Sequence, residues 1–182
     1  MYYCTRSCRP RALLFLSGLF SLVGLLYAYF MQEKFFLMPC PLCVVQRYFA
    51  FLVLFFSVFS CTSCSRAHFV ALFMGFLSAL CGLCAGIYQV YLQVFPSAVS
   101  RCGLEFSNFI NKIFFAKWFP KMFSSAGDCA VVQWRFLDVV TIPELSVVFF
   151  FSLAMLLGFG IFRAICAMHC SDGGKSGGCH SS

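Results

Sequence analysis

The sequence predicts an all-α membrane protein, a bundle of four transmembrane helices. Of its 182 residues, 62% are hydrophobic, 26 are Phe and only 10% are charged. A soluble domain of this size has too little interior to bury so much apolar surface. Four long segments also lack charged side chains, and a helix needs roughly 20 apolar residues to cross about 30 Å of hydrocarbon. Length and composition together favour one membrane domain and leave no room for a second, soluble domain.

The first uncharged segment spans residues 12–32 and follows three arginines, Arg6, Arg9 and Arg11. A basic start before an apolar segment also occurs in signal peptides, whose apolar core has only about 7 to 15 residues and ends at a small-x-small cleavage site. This segment is longer and lacks such a site. We therefore interpret it as the first transmembrane helix, with the arginines on the cytoplasmic side.

The other uncharged segments are residues 48–65, 67–100 and 145–162, interrupted only by His68. Four spans would place both termini in the cytoplasm and two connecting segments outside, at about residues 33–47 and 94–144. The loop charges do not support this orientation cleanly, because the longer outer segment is itself basic. It contains Arg101, Lys112, Lys117, Lys121 and Arg135. The net charge of +7 is thus spread over both sides, which favours attraction to lipid headgroups over nucleic-acid binding.

The longer outer segment also contains a stripe of large apolar side chains at helical spacing, with polar residues largely opposite. The stripe is formed by Phe106, Phe109, Ile110, Ile113, Phe114 and Trp118. Such a pattern predicts a short helix that lies in the membrane interface. The alternative, a helix packed on the bundle, stays open.

The C-terminal residues 171–182 are rich in Gly and Ser, a composition typical of disordered segments. We therefore predict one four-helix membrane domain, residues 1–170, followed by a disordered cytoplasmic tail.

The chain has 13 cysteines, and their positions divide them into two groups. Cys40, Cys43, Cys102 and Cys129 lie in the predicted outer segments, which in a bacterial plasma membrane face the oxidising side where disulfides persist. The others lie in helices or on the cytoplasmic side, where Cys acts as a small apolar residue or a reduced thiol. Cys61 and Cys64 fall in the short cytoplasmic turn, and Cys81 and Cys84 fall inside the third helix. For these two pairs, packing is favoured over an electron relay. Cys170 and Cys179, in the tail, lack regular metal-ligand spacing.

The segment Cys40-Pro41-Leu42-Cys43 is predicted to begin the second helix. Pro41 suits the first helical position, because its missing N–H would have had no partner there. Cys40 would then cap the helix, and Cys43 would lie in the first turn, where unpaired N–H groups and the positive helix end stabilise a sulfur anion. The pair is thus a candidate redox centre with Cys43 as the thiolate. A structural disulfide or half of a zinc site is the alternative, but the outer segments contain no His to complete a zinc site.

Arg47 follows Cys43 by four residues and therefore shares its helix face. An arginine at the edge of the hydrocarbon is costly without a partner, which makes it a candidate functional residue. The alternative is that its side chain only extends to the lipid headgroups.

Cys102 and Cys129 enclose much of the longer outer segment. A disulfide between them would restrain this loop, and a stabilisation of about 3 kcal/mol is ordinary for a closure of this length. Alternatively, they form a second redox pair that exchanges with a soluble protein and with Cys40 and Cys43. Exchange proceeds through a mixed disulfide, so the two pairs would have to meet. The residues alone leave both readings open.

Three blocks of sequence, in the same order and at the same spacing, resemble the DsbB family of membrane disulfide-generating proteins over roughly residues 13–157. They are Pro39-Cys40-Pro41-Leu42-Cys43 with Gln46-Arg47, then Phe95-Pro96-Ser97 leading to Cys102, and then Ala126-Gly127-Asp128-Cys129-Ala130, continued by Gln133-Trp134, Phe136-Leu137 and Pro143. A lone Cys-x-x-Cys is a weak signal, whereas this ordered set is specific.

The resemblance implies a four-helix bundle in the bacterial inner membrane that reoxidises a periplasmic DsbA-like thiol oxidase and delivers the electrons to a quinone, ubiquinone or menaquinone. It also implies a role for each residue. Cys102 would form the mixed disulfide with the partner, Cys129 would then attack Cys40, and Cys43 would remain as the thiolate facing the quinone. Arg47 would lie at the quinone ring and stabilise negative charge on sulfur and on the reduced quinone.

Two positions depart from the family pattern. Gln46 stands where many relatives have Glu, and Gln89 aligns with a His near the quinone of well-studied members.

Two further function classes stay open. A reductase of the vitamin K epoxide type also pairs membrane cysteines with a quinone, but its Cys-x-x-Cys lies near the last helix of its bundle. A non-enzymatic, disulfide-stapled membrane protein would need neither Cys43 nor Arg47 for its function.

Overall fold

Four long helices dominate the computed structural model, which describes residues 9–36, 39–61, 65–95, 108, 112, 120–123, 135–136 and 140–173. The helices are α1 (Arg9–Phe35), α2 (Pro41–Cys61), α3 (Ser65–Val94) and, after the short α4 (Pro120–Phe123), α5 (Ile142–Gly173). Two short strands, β1 (Arg135–Phe136) and β2 (Val140–Thr141), pair antiparallel immediately before α5, with Arg135 opposite Thr141. The four long helices are each long and apolar enough to cross a membrane. The predicted all-α bundle of four transmembrane helices is confirmed.

The helix boundaries differ from the uncharged segments in an informative way. The second uncharged segment starts at residue 48, yet α2 begins at Pro41 and contains Arg47. The prediction that Pro41 occupies the first helical position is confirmed. At the other end of the chain, α5 continues to Gly173, so residues 171–173 extend the last helix where a disordered tail was expected to begin. The rest of the tail, residues 174–182, lies outside the described residues, as does the apolar stripe on which the interfacial helix was predicted.

The helices pack in a ring, because α2 lies between α1 and α3, α3 contacts α5, and α5 returns to α1. Within the ring, one apolar cluster is almost inaccessible to solvent, as shown by Leu14, Val53, Leu72, Leu153 and Leu157. On the outside, large apolar side chains of all four helices are exposed, the arrangement expected of a surface that meets lipid. Buried serines of the bundle donate to backbone oxygens, as Ser57 Oγ does to the carbonyl of Val53 at 2.8 Å.

Two adjacent phenylalanines of α5 set its distance from the neighbouring helices. The ring of Phe149 lies against Gly24 of α1, where an added Cβ would be 2.6 Å from the ring, and the ring of Phe150 lies so close to Gly82 of α3 that a Cβ would overlap it. Between α1 and α2, Ser21 Oγ donates to the carbonyl oxygen of Ala50 at 2.6 Å. Small residues on α1 and α3 therefore let large side chains of α5 fill the space between the four helices.

Candidate active site

The first turn of α2 is capped by a sulfur atom. The carbonyl oxygen of Cys40 accepts the first helical hydrogen bond, from the N–H of Val44 at 3.1 Å, and Cys40 Sγ accepts from the N–H of Cys43 at 3.3 Å. A side chain at this position ordinarily satisfies one of the N–H groups that the first turn leaves unpaired. The prediction that Cys40 caps the second helix is therefore confirmed.

The same turn brings the two sulfur atoms into contact. Cys40 Sγ donates to Cys43 Sγ across 2.9 Å. Cys40 is buried, with 4% of its surface exposed, whereas Cys43 is half-buried and carries a free thiol. Two sulfurs at this distance can be joined by a disulfide with only small side-chain rotations. The turn thus holds a dithiol that can interconvert with a disulfide, and Cys43 is the more exposed of the two residues.

A pair of glutamines links these sulfurs to α3. Gln89 Nε2 donates to Cys43 Sγ at 3.1 Å and to Cys40 Sγ at 3.3 Å. Gln89 Oε1 accepts from Gln46 Nε2 at 3.2 Å, so the amide of Gln46 orients the amide of Gln89. Both glutamines are buried, with 6% of Gln46 and 3% of Gln89 exposed. These are the two positions that the resemblance marks as departures from the family pattern.

Arg47 is also anchored to protein atoms. Its Nη1 donates to Oε1 of Gln32, near the end of α1, and to the carbonyl oxygen of Met122 in α4, both at 2.7 Å. Beside it, the buried ring of Phe123 stacks against Tyr48 with ring centroids 4.6 Å apart. The arginine therefore fixes α4 against the start of α2, and its guanidinium lies among protein oxygens.

A cavity of about 360 Å³ opens beside this group of residues. Its walls come from all four long helices and are mostly apolar and aromatic, with Phe20, Tyr27 and Met31 of α1 and Phe149 of α5 among them. Among the described residues, its polar or thiol-bearing lining side chains are Tyr27, Gln32, Cys40, Cys43, Gln46, Arg47, Gln89, Gln93, Ser146 and Ser152. The volume falls within the roughly 300–1,000 Å³ of small-molecule sites, and a mostly apolar wall with a few convergent polar groups is their usual composition.

The cavity fits the head of a quinone. A quinone ring is flat and apolar with two carbonyl oxygens, so it requires an apolar slot and N–H donors. Arg47 and Gln46 supply such donors, whereas the N–H groups of Gln89 contact the sulfurs, and Cys43 is part of the same wall. Among the described residues that line the cavity, Arg47 alone carries a permanent charge.

The structure brings together three of the five residues that the sequence singled out, namely Cys40, Cys43 and Arg47. Cys102 and Cys129 lie outside the described residues. Cys81 and Cys84 are exposed on α3, and neither belongs to the described residues that line the cavity. Their predicted lack of a relay role stays a prediction.

Three partners of the site were not predicted as site residues: Gln32, the carbonyl of Met122, and Gln89 as a donor to sulfur. Gln32 had one available signal, since an uncharged polar side chain within an apolar helix usually has a protein partner. A backbone carbonyl such as that of Met122 has no sequence signal at all.

Comparison with known proteins matches the chain to one family. The model of a family described as "Disulfide bond formation protein DsbB" matches residues 10–160. The chain is similar to a "Disulfide bond formation protein B" from Nitrosospira multiformis, with 33% identity over 154 residues that cover 83% of this chain and 89% of the relative. A protein of the same name from Ralstonia nicotianae is 37% identical over 146 residues, covering 79% and 87%. Another, from Yersinia enterocolitica, is 31% identical over 140 residues, covering 76% and 79%.

Proposed function

The chain belongs to the DsbB family of disulfide bond formation proteins, and on that premise we propose that it reoxidises a periplasmic DsbA-like thiol oxidase and passes the electrons to a membrane quinone. It would do so in the bacterial inner membrane, with both termini in the cytoplasm and the redox cysteines on the periplasmic side. One observation carries the proposal: the contacting sulfurs of Cys40 and Cys43 share the wall of an apolar cavity with Arg47.

The first part of the reaction is thiol–disulfide exchange, in which a thiolate attacks a disulfide sulfur and a mixed disulfide forms. A thiolate of the reduced partner attacks Cys102 of a Cys102–Cys129 disulfide, and the second partner thiol then releases the oxidised partner. The Cys129 thiolate attacks Cys40 of the Cys40–Cys43 disulfide, and Cys43 leaves as a thiolate. Closure of the Cys102–Cys129 bond completes the exchange, so two electrons move from the partner to the pair on α2.

Return of the Cys40–Cys43 pair to the disulfide requires an acceptor for those two electrons. When bound, a quinone would supply that acceptor, and the cavity walls fit its ring. Residues of this chain then have distinct tasks. The apolar walls exclude water, Arg47 places a fixed positive charge beside the cavity, and Gln89 holds the sulfur of Cys43 at the wall. Ubiquinone and menaquinone share the ring chemistry on which this proposal depends.

Quinone reduction by the purified full-length protein in detergent tests the proposal. With a reduced DsbA-like partner and a short-chain quinone, the wild type is expected to turn over continuously. Cys43→Ser is expected to stop quinone reduction, and Cys102→Ser is expected to block oxidation of the partner. A wild type that forms its disulfides but does not reduce either quinone would contradict the proposal.

A further inference from the structure

We propose that Gln89 is a catalytic residue that stabilises the sulfur anion at Cys43 through its side-chain N–H groups, and that Gln46 is the positioning residue that orients it. The inference deepens the proposed function and rests on its redox role for Cys43. Its first test, however, requires neither a quinone nor a partner.

The contacts distinguish the task of Gln89 from that of Arg47. The hydrogen bonds of Arg47 reach oxygens of Gln32 and Met122, whereas, among the described residues, Gln89 donates side-chain N–H groups to the sulfurs. Arg47 therefore acts on the sulfurs through space, while Gln89 acts by direct contact. A hydrogen bond to a charged group is worth more than one between neutral groups, and it is worth most where water is excluded.

Gln89 can play this part only if its amide has one orientation. With the amide reversed, Oε1 would face the sulfurs and repel an anion, which accepts hydrogen bonds and cannot donate them. Gln46 favours the observed orientation, because its Nε2 donates to Gln89 Oε1 and so directs Nε2 of Gln89 to the sulfurs.

Both members of the pair are buried neutral amides, and this has a chemical consequence. A buried amide without a partner is costly, so each glutamine depends on the other. The pair spans α2 and α3, whose packing thereby fixes the donor at the sulfurs without adding a second charge to the cavity wall. Gln89 thus has the task of donating to the sulfur anion, and Gln46 has the task of orienting Gln89.

The test measures how fast iodoacetamide alkylates Cys43 in the reduced, full-length protein, with the Cys43 peptide quantified by mass spectrometry. Only the thiolate reacts, and a thiol is largely deprotonated at about pH 10. The ratio of the rate at about pH 5 to that at about pH 10 therefore reports the thiolate population and cancels differences in access. We expect Gln89→Leu to lower this ratio about tenfold, the effect of losing one hydrogen bond to a charged group. Gln89→Met keeps the length of the side chain, removes the donors and is expected to lower the ratio as much.

A double-mutant cycle tests the positioning role of Gln46. Because Gln46 acts through Gln89, Gln46→Leu is expected to lower the ratio less than Gln89→Leu does, and the double variant is expected to match Gln89→Leu alone. If the two substitutions instead lower the ratio independently, so that their effects multiply in the double variant, the positioning role of Gln46 is overturned. Ser78→Ala is the control, since it removes a buried hydrogen bond from α3 that the site does not use.

Two results would overturn the role of Gln89. One is a ratio that stays within about twofold of the wild type in both Gln89 variants, since a lost hydrogen bond to an anion should exceed that. The other is an equal fall in Ser78→Ala. If the wild type does not reduce quinone but the Gln89 variants lower the alkylation ratio, the role of Gln89 stands and the proposed function is rejected. If the wild type reduces quinone but the Gln89 variants leave the ratio unchanged, the proposed function stands and the role of Gln89 is rejected.

Discussion

The two ends of the bundle are built from the same four helices but serve opposite purposes. At one end, Leu14, Leu72 and Leu157 pack with no more than 1% of their surface exposed. At the other, Cys40, Gln46, Arg47 and Gln89 surround a cavity of about 360 Å³ and are held by hydrogen bonds that cross between helices. We call these the packed end and the site end. Stability should depend on the packed end and activity on the site end.

The largest effect is expected at the site end, from Cys43→Ser. The hydroxyl is nearly isosteric but cannot form a disulfide, so turnover should fall at least a thousandfold. The thermal midpoint in detergent should shift by no more than about 2 °C, because the side chain is only half-buried. Cys81→Ser is the matched control: this thiol is exposed and outside the cavity wall, so turnover should be unchanged. Equal losses in the two variants would break the distinction between the ends.

The next largest effect is expected toward the packed end, from Leu153→Ala. Leu153 is fully buried, and the substitution leaves a cavity that the ring of helices cannot close, at a cost of about 2 to 4 kcal/mol. Chemical unfolding in mixed detergent micelles measures this cost. Phe151→Ala, on the exposed side of the same helix, should cost less than about 1 kcal/mol. Protein that remains folded should retain its turnover, and a specific loss of activity in folded Leu153→Ala would contradict the separation.

A smaller effect is expected from Arg47→Lys, which keeps the positive charge but not the two hydrogen bonds of Arg47 Nη1. The lysine side chain is shorter and ends in a compact ammonium group, so it cannot reproduce the contacts with Gln32 and Met122. We expect kcat/KM for quinone reduction to fall about tenfold, the value of one charge-assisted hydrogen bond. Arg163→Lys is the control, since Arg163 lies over the ring of Phe159, away from the cavity wall. Full activity in Arg47→Lys would show that the charge alone suffices.

The smallest effect is expected from Glu144→Ala. Glu144 Oε2 accepts from the N–H of Thr141 at 2.7 Å, which is half of a capping box at the start of α5. Because the contact is exposed, its loss should cost about 0.5 to 1 kcal/mol, or roughly 1 to 4 °C in the thermal midpoint. Turnover should not change. A loss of activity larger than the loss of stability would place this cap within the active site.

The sequence predicted those features of the site that are local along the chain. Pro41 at the first helical position, Cys40 as the cap and Arg47 one turn after Cys43 all follow from helical geometry over a few residues. The predicted start of the second span was less accurate. The uncharged segment stops at Arg47, whereas in the structure Arg47 lies inside α2 and its guanidinium donates to Gln32.

The contacts between helices could not be predicted from one sequence. Gln32 is 15 residues from Arg47, Gln89 is 49 residues from Cys40, and Met122 is 75 residues from Arg47. Helical periodicity places a residue on a face but does not say which face of another helix it will meet. The sequence marked Gln46 and Gln89 only as departures from a family pattern. Their hydrogen bond, and the contact of Gln89 with the sulfurs, depend on the packing of α2 against α3.

Single-turnover quinone reduction tests most directly whether the site end is a complete redox centre. Protein reduced in advance and freed of reductant is mixed with an excess of short-chain quinone, and the quinone absorbance is followed without any partner protein. We predict that Cys102→Ser still reduces about one quinone per protein, because the pair on α2 carries the two electrons, and that Cys43→Ser reduces none. An equal burst from Cys43→Ser would contradict the account, since the electrons would then leave from sulfurs outside the cavity.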